Sequence, residues 1–539
     1  MPDSRTRQTK KHTIAKLTVL LLCGLLLSFG VAAASGTAPG NDKDDCTRNP
    51  AHCRSKQRIF WLAPTGNDRN SGRSANSPWK TFAHAIPSLK PGDTLLLEDG
   101  VYEGESSGYP NINCSRAAAN GTPSANIAIQ AEHERRAFLR GDGTAYPFQM
   151  QNCQYWMIAG LHIENGDFKN TAKGEANYGD VMYLYADKFL TVRRNLLARN
   201  NRYSNSHLID NYYSNHSLYV ENEFYYFHRH GILDMYGGFN TYRRNYFNSR
   251  GYADLPDGRE SIGPARGDTA ISLYPAHDAL VENNISEGQT VGYDIQCAYH
   301  TNSCDNNRFF GNISLNDVYG HVFKARGMGD GLMPHNTYAA NEVVIDPVEI
   351  GMYVRATKNT VCDRCSFFGG GKSQIGFVAD DGGKGETGDG NYSVFVKNSI
   401  ALNFHGLPGL GFVVQDASGA WNWSWQNLVA YGNRINYVPA VPNRHAVNIS
   451  KNDPDLGACW LWIPASSTLG KGRPSDAGAD IVYRYRDGQL TKEPLWDPKT
   501  GSFPHGEVVP ELNGLPGQSA MDVQQRLNVG ADGCRPPQP

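Results

Sequence analysis

A short unit recurs through the middle of this chain: Asn, any residue, then an apolar residue, followed by a polar turn. It stands at Asn195-Leu196-Leu197, Asn222-Glu223-Phe224, Asn245-Tyr246-Phe247, Asn284-Ile285 and Asn307-Arg308-Phe309, and again at Asn341, Asn398 and Asn427. From Asn195 to Asn341 the gaps run from 23 to 39 residues, one coil with loops of variable length. A single triplet of this kind means nothing, but its recurrence along one chain indicates stacked coils. A second unit alternates with it, a Gly followed by a short alternating strand, as in Gly231-Ile232-Leu233, Gly292-Tyr293-Asp294-Ile295, Gly320-His321-Val322-Phe323 and Gly351-Met352-Tyr353-Val354. Two strand types per coil, each with period two, are what a helix of parallel strands requires. The expected fold is all-β, a right-handed parallel β-helix. Asn at a fixed place in each coil would stack into a ladder, each amide bonding the next.

A solenoid also accounts for the length, because it grows without thickening its core. The 539 residues are too many for one ordinary compact core, and 57 glycines and 28 tyrosines with only 19% charged residues favour strands and turns. The β-helix is expected over 58–440. Its first end would be closed by a short helix capped by Ser77 with Pro78 in the first turn. Beyond it, 441–539 loses the triplet and reads as a C-terminal cap or appendage.

Residues 1–34 read as a signal peptide: a basic stretch ending at Lys16, an apolar run Leu17–Ala34, and Ala32-Ala33-Ala34 as a small-residue cleavage site. Residues 35–57 would be a linker. A secreted or periplasmic protein is expected, of the bacterial exported kind, with no stable membrane insertion after cleavage. Formal charge is −2, and the signal segment holds five basic residues against one acidic, so the body is mildly acidic. That argues against nucleic-acid binding. Apart from Cys23, ten cysteines remain, an even number that reads as disulfides in an exported chain. Zinc is the rival at Cys362-Asp363-Arg364-Cys365, but no second such pair accompanies it.

The stretch from Phe60-Trp61-Leu62-Ala63-Pro64-Thr65-Gly66-Asn67-Asp68 through Trp79-Lys80-Thr81-Phe82 resembles the opening of pectate-lyase-like right-handed β-helix proteins. So does Lys90-Pro91-Gly92-Asp93-Thr94-Leu95-Leu96-Leu97, where the resemblance implies a capping helix, a Gly92-Asp93 turn and a first strand. It covers roughly 58–435 and implies fold more than activity, since polysaccharide lyases, glycoside hydrolases, uronate epimerases and non-catalytic adhesins share it.

An outer face of stacked strands, with coils about 4.8 Å apart, suits an extended sugar chain. Aligning the Gly-led strands places Asp234, Ser272, Tyr274, Asp294, Gln296, Lys324, Arg326, Tyr353, Arg355 and Asp380 near one outward stripe. A lyase acting on an acidic polysaccharide must neutralise a uronate carboxylate, remove the proton beside it and protonate the leaving oxygen. Lys324 is the expected base, with the like charge of Arg326 favouring the neutral amine; a surface ion network is the competing reading. His228 and His230, with Asp234, form a second candidate catalytic cluster. Arg326, Arg243, Arg266, Asp294, Tyr274 and Arg355 are the expected substrate contacts. Ca²⁺ is the candidate cofactor, with Asp268, Asp294 and Asp380 as candidate ligands.

Two further features are weaker. Tyr274-Pro275-Ala276-His277-Asp278 resembles the Asp-Pro-His-Asp motif of mannuronan epimerases, with Tyr274 in place of the first Asp, but also reads as a turn between coils. Trp421, Trp423 and Trp425 alternate and would either stack on sugar or pack under the C-terminal cap. The reading that emerges is a carbohydrate-active lyase of an acidic polysaccharide. A glycoside hydrolase using Asp234 and Asp294, an epimerase, and a non-catalytic glycan-binding surface protein are the alternatives.

Overall fold

Each coil must satisfy the backbone amides of its turns as well as its strands, and buried asparagines do this. Asn195, Asn222, Asn245, Asn284 and Asn312 are all fully buried. Each Nδ2 donates to the Oδ1 of the next, at 3.0, 3.0, 2.9 and 2.9 Å. The same oxygens accept backbone amides from the preceding coil, as Asn222 Oδ1 does from Asn195 N at 3.0 Å. The ladder ends on Glu342, whose Oε1 accepts from Asn312 Nδ2 at 3.1 Å while its Oε2 lies 2.7 Å from His321 Nε2.

The computed structural model describes residues 58–496 except 105, 144, 166–178, 202–204, 250–266, 298–303, 326–332, 381–391, 416–421, 440–445, 458, 465–466 and 471–476, together with Phe503, Leu527 and Val529. The signal and linker segments, Arg266, Arg326 and Trp421 lie outside the described residues. The expected parallel β-helix is present, with three strands per coil rather than two. One coil runs His207–Tyr212, Leu218–Val220 and Glu223–Tyr225; the next runs His230–Met235, Thr241–Arg243 and Tyr246–Asn248. The middle strand was not told apart from the third because both are three residues long, too short to show a period. Every coil stacks in parallel register on the next, Ile232 between Ile209 and Ile271. Like side chains therefore meet inside, as Phe224 on Phe247 with ring centroids 4.4 Å apart.

Not every asparagine of the repeat belongs to the ladder. Asn341, Asn398 and Asn427 precede it by one residue and hold left-handed backbone at φ 55°, 50° and 59°. That conformation favours Asn among residues with a side chain. Asn307 serves a different turn, its Oδ1 accepting from Ala279 N at 3.0 Å.

The first strands of the coils form a twelve-stranded parallel sheet from Asn111–Asn113 to Ile435–Val438. Gly231 enters it where a Cβ would stand 2.5 Å from the inward Phe247 ring, which explains the Gly that leads so many of these strands. The solenoid continues to Ala446–Ser450, paired with Asn422–Tyr431, past the expected end. At its start the capping helix is Phe82–Ala85, with Thr81 rather than Ser77 as N-cap; Thr81 Oγ1 accepts from His84 N at 3.2 Å. Trp423 and Trp425 are buried, so these two pack rather than meet sugar. Cys114–Cys153, Cys297–Cys304 and Cys362–Cys365 are disulfides, which settles the last against a zinc half-site. No helix among the described residues is long and apolar enough to cross a membrane.

The C-terminal segment does not simply cover the end. It runs back along the flank formed by the third strands, where Leu461, Trp462, Ile481 and Trp496 pack on Ile285, Ile313, Val343 and Ile400. Its amides dock in descending order: Gly478 N on Asn398 O, Ala479 N on Ser366 Oγ, Asp480 N on Asn341 Oδ1, and Tyr485 N on Asn283 Oδ1. Arg243 Nη2 then meets Asp487 Oδ1 at 2.7 Å.

Burial makes the ladder costly to break. Asn245→Ala removes the acceptor of Asn222 N and Nδ2 and the bonds that Asn245 Nδ2 donates to Tyr219 O and Asn284 Oδ1, and is expected to cost about 3 kcal/mol by chemical denaturation. Asn306→Gly, which removes a 3.2 Å amide contact to Asn336 in an exposed ladder, is expected to cost less than about 1 kcal/mol.

Candidate functional site

The twelve-stranded sheet has one face turned in and one turned out. Counting from the leading Gly, positions two and four residues on face outward, which gives two columns. One carries Gln149, Tyr183, Asp210, Leu233, Ser272 and Asp294, continuing to Val322 and Tyr353. The other carries Tyr212, Met235, Tyr274, Gln296, Lys324 and Arg355, continuing to Asp380. Most of the expected stripe is therefore outward.

Asp234 is the exception and must be corrected. It lies three residues after Gly231, pairs in register with Asn211 and Leu273, and is fully buried inside the coil. Tyr242 Oη donates to it at 2.6 Å, Asn211 Nδ2 at 2.9 Å and Asn240 Nδ2 at 3.0 Å. Burial pushes its carboxyl up, and those bonds oppose the shift. A one-residue slip in the count had turned it to the wrong face. Arg243 is corrected too. It stands on the middle-strand sheet, held by Glu282 at 2.8 Å and Asp487, and cannot reach a ligand on the long-strand face.

Two charged clusters occupy that face. In the first, Lys324 lies in register between Gln296 and Arg355 on consecutive coils. Asp380, next in the column, accepts from Tyr353 Oη at 2.6 Å and lies 3.5 Å from Arg355 Nε. Asp294 accepts from Gln296 Nε2. Burial pushes Asp294 up to about 6, opposed by Gln296, Ser272 and then the Lys324 charge. Asp294, Lys324 and Arg355 thus stand on three consecutive coils, with Asp380 on the fourth, an arrangement able to hold an anionic sugar. Tyr274 belongs to the same column, two coils before Lys324.

The second cluster centres on residues the repeat did not reveal. Asp180, His207 and Asp210 each bring a ligand atom within 4.8 Å of the others'. His207 Nδ1 lies 3.0 Å from His230 Nδ1, and the rings stack at 4.8 Å. His230 Nε2 stands 3.9 Å from Asp268 Oδ2, which Arg229 Nη1 meets at 2.9 Å. Burial, then the charges of Arg229 and His228, pushes His230 down to about 3, so it is a neutral ring at ordinary pH. Asp210 is pushed up by burial to about 7. His228 is buried, its backbone amide donating to Asn200 Oδ1 at 2.9 Å. The only signal for this cluster was the 23-residue interval from His207 to His230, hidden because the His207–Tyr212 strand has Leu208 where others have Gly.

The calcium expectation fails as drawn. Asp268, Asp294 and Asp380 do not converge: Asp268 pairs with Arg229, Asp294 with Gln296, and Asp380 with Tyr353 and Arg355. Calcium takes six to eight oxygens, which no group of these three supplies. His277 and Asp278 form a partly exposed 2.8 Å pair at the turn after the sheet, which supports the turn reading of that motif.

The raised Asp294 gives a pH signature. Its folded-state carboxyl titrates above an unfolded one, so folding loses stability as pH rises through about 4 to 6. Asp294→Asn is expected to raise stability by on the order of 2 kcal/mol at pH 7 and to change it little at pH 4, as read by thermal melts at both values.

No family model matches the chain. It is 38% identical over 162 residues to "Pectate lyase L" of Dickeya dadantii and 28% identical over 162 residues to "Pectate lyase L" of Dickeya chrysanthemi. Each match covers 28% of this chain and 36% of the relative, so the chain matches little more than a third of their length. Among solved structures it resembles the mannuronan C-5 epimerase AlgE6 A-module of Azotobacter vinelandii, at 13% identity and TM-score 0.47, over 69% of this chain and 93% of that one. It also resembles pectate lyase Pel9A at 13% identity and TM-score 0.34, over 81% of this chain and 90% of that one. With every coil paired in parallel, the chain is a right-handed parallel β-helix, and over 162 residues it is similar to pectate lyase L.

Proposed function

We propose that the chain is an exported polysaccharide lyase that cleaves a uronate-containing glycan by β-elimination. The observation that carries this reading is the register pairing of Lys324 with Arg355 on the outward sheet face, beside Asp294. Arg355 would hold the sugar carboxylate, oriented by Asp380. Lys324, as the free amine, would take the proton from the ring carbon next to that carboxylate. The electron pair left behind forms a double bond to the neighbouring carbon as its bond to the glycosidic oxygen breaks, and that oxygen leaves with a proton supplied by the Lys324 ammonium just formed or by solvent water. Gln296, on the preceding coil, is placed to hydrogen-bond the same sugar. The likeness to pectate lyase L supports the reaction class, and the apolar segment 17–34 supports export.

Paired-carboxylate hydrolysis fits less well. Asp234 and Asp294 lie on opposite faces of the sheet. Asp210 and Asp294 share an outward column but stand three coils apart, about 14 Å, beyond the separation either hydrolytic route uses.

The test is incubation with pectate, alginate and glycosaminoglycan while the ultraviolet absorbance of unsaturated uronate is followed. Absorbance should rise on one of them, and Lys324→Ala should lower kcat by about 10²- to 10⁴-fold. Arg355→Lys should act chiefly on KM, because a point charge replaces a bidentate fork. New reducing ends without absorbance would mean hydrolysis, and binding with neither product would mean a non-catalytic glycan-binding protein.

A further inference from the structure

Asp180, His207 and Asp210 come from two successive coils at one edge of the outward face. Asp180 Oδ1 accepts the backbone amide of His207 at 2.7 Å, which ties the two coils together at this point. Asp210 Oδ1 is buried and has no hydrogen-bond partner among the described residues. An unpaired buried carboxylate oxygen is expensive unless something positive meets it. Arg229, whose charge acts on His207 and His230, is itself paired with Asp268. His207, the third member, is fixed by its 3.0 Å contact with His230, so its ring cannot swing away to another partner.

We infer that Asp180, His207 and Asp210 form a binding site for a divalent cation of the imidazole-accepting class, such as Zn²⁺ or Mn²⁺, rather than for Ca²⁺. Two carboxylates and one imidazole are a donor set that first-row divalent metals accept readily. Calcium seeks six to eight oxygens and gains little from a ring nitrogen. The stacked His230 supplies the outer partner that usually orients a ligating histidine. The site is separate from the proposed elimination centre, since Asp210 stands four coils from Lys324 on the same sheet, about 19 Å. Metal binding therefore does not depend on the lyase reading being correct.

The experiment uses the purified full chain, stripped with a chelator and titrated calorimetrically with Zn²⁺, Mn²⁺ and Ca²⁺ in turn. A single cation per chain should bind, with Zn²⁺ or Mn²⁺ at least about 100-fold tighter than Ca²⁺. Asp210→Asn and His207→Gln should each weaken that binding at least about 10-fold, while Lys324→Ala leaves it unchanged. Circular dichroism of each variant checks the fold, and the near-isosteric Asp210→Asn keeps the test open if His207→Gln does not fold. Binding of Ca²⁺ as tight as Zn²⁺ or Mn²⁺ would overturn the inference. So would the absence of any binding, or tight binding that Asp210→Asn leaves unaltered.

Discussion

The whole molecule leans on one repeated bond, the side-chain amide of a buried Asn donating to the same group one coil away. A solenoid has no second layer to satisfy its turns, so every buried turn amide needs an acceptor from its neighbour. The Oδ1 atoms of Asn195, Asn222, Asn245, Asn284 and Asn312 accept such an amide five times over. In doing so they fix the rise and register of consecutive coils. The aromatic stacks and the columns of outward polar groups follow from that register. A slip of one residue at the ladder would rotate both sheets and dissolve the site.

The ladder is also why the fold was legible from the sequence. Asparagine in a buried turn is a demanding requirement, so it recurs visibly, and period two in the long strands gave the rest. Where several local demands favour the same residue, the signal blurred. Asn341, Asn398 and Asn427 satisfy left-handed backbone instead of the ladder, yet they sit beside the same apolar triplet. The outward face was read correctly at Asp294, Lys324 and Arg355 because Gly292, Gly320 and Gly351 mark where the count begins. It failed at Asp234, for which the count from Gly231 was one residue out. Asp180, His207 and Asp210 left no signal beyond the His207–His230 interval, since they come from two coils and the strand that carries His207 and Asp210 has Leu208 where others have Gly. Their meeting is a property of stacking, not of spacing along the chain.

Charge is distributed unequally along the outward face. Near Asp210 the groups are carboxyls and neutral imidazoles, and burial keeps both short of full charge. Near Lys324 they are a lysine and an arginine on adjacent coils, with Asp294 tempered by the same burial. An extended anionic chain laid along this face would meet cations at one place and an electron-rich pocket several sugars away. Such a gradient gives the face a direction, which a uniform surface would lack.

The C-terminal segment changes what kind of object the solenoid is. Stacked repeats interact only with their neighbours, so in principle coils can be gained or lost one at a time. Here a strap pinned at Asn398, Ser366, Asn341, Asn283 and finally Arg243 crosses those coils in the reverse direction. Its anchor points match the coil spacing like marks on a ruler. Inserting or deleting a coil between Arg243 and Asn398 would leave every later mark out of step. The part of the array that carries Asp294, Lys324 and Arg355 is thus the part whose length is locked.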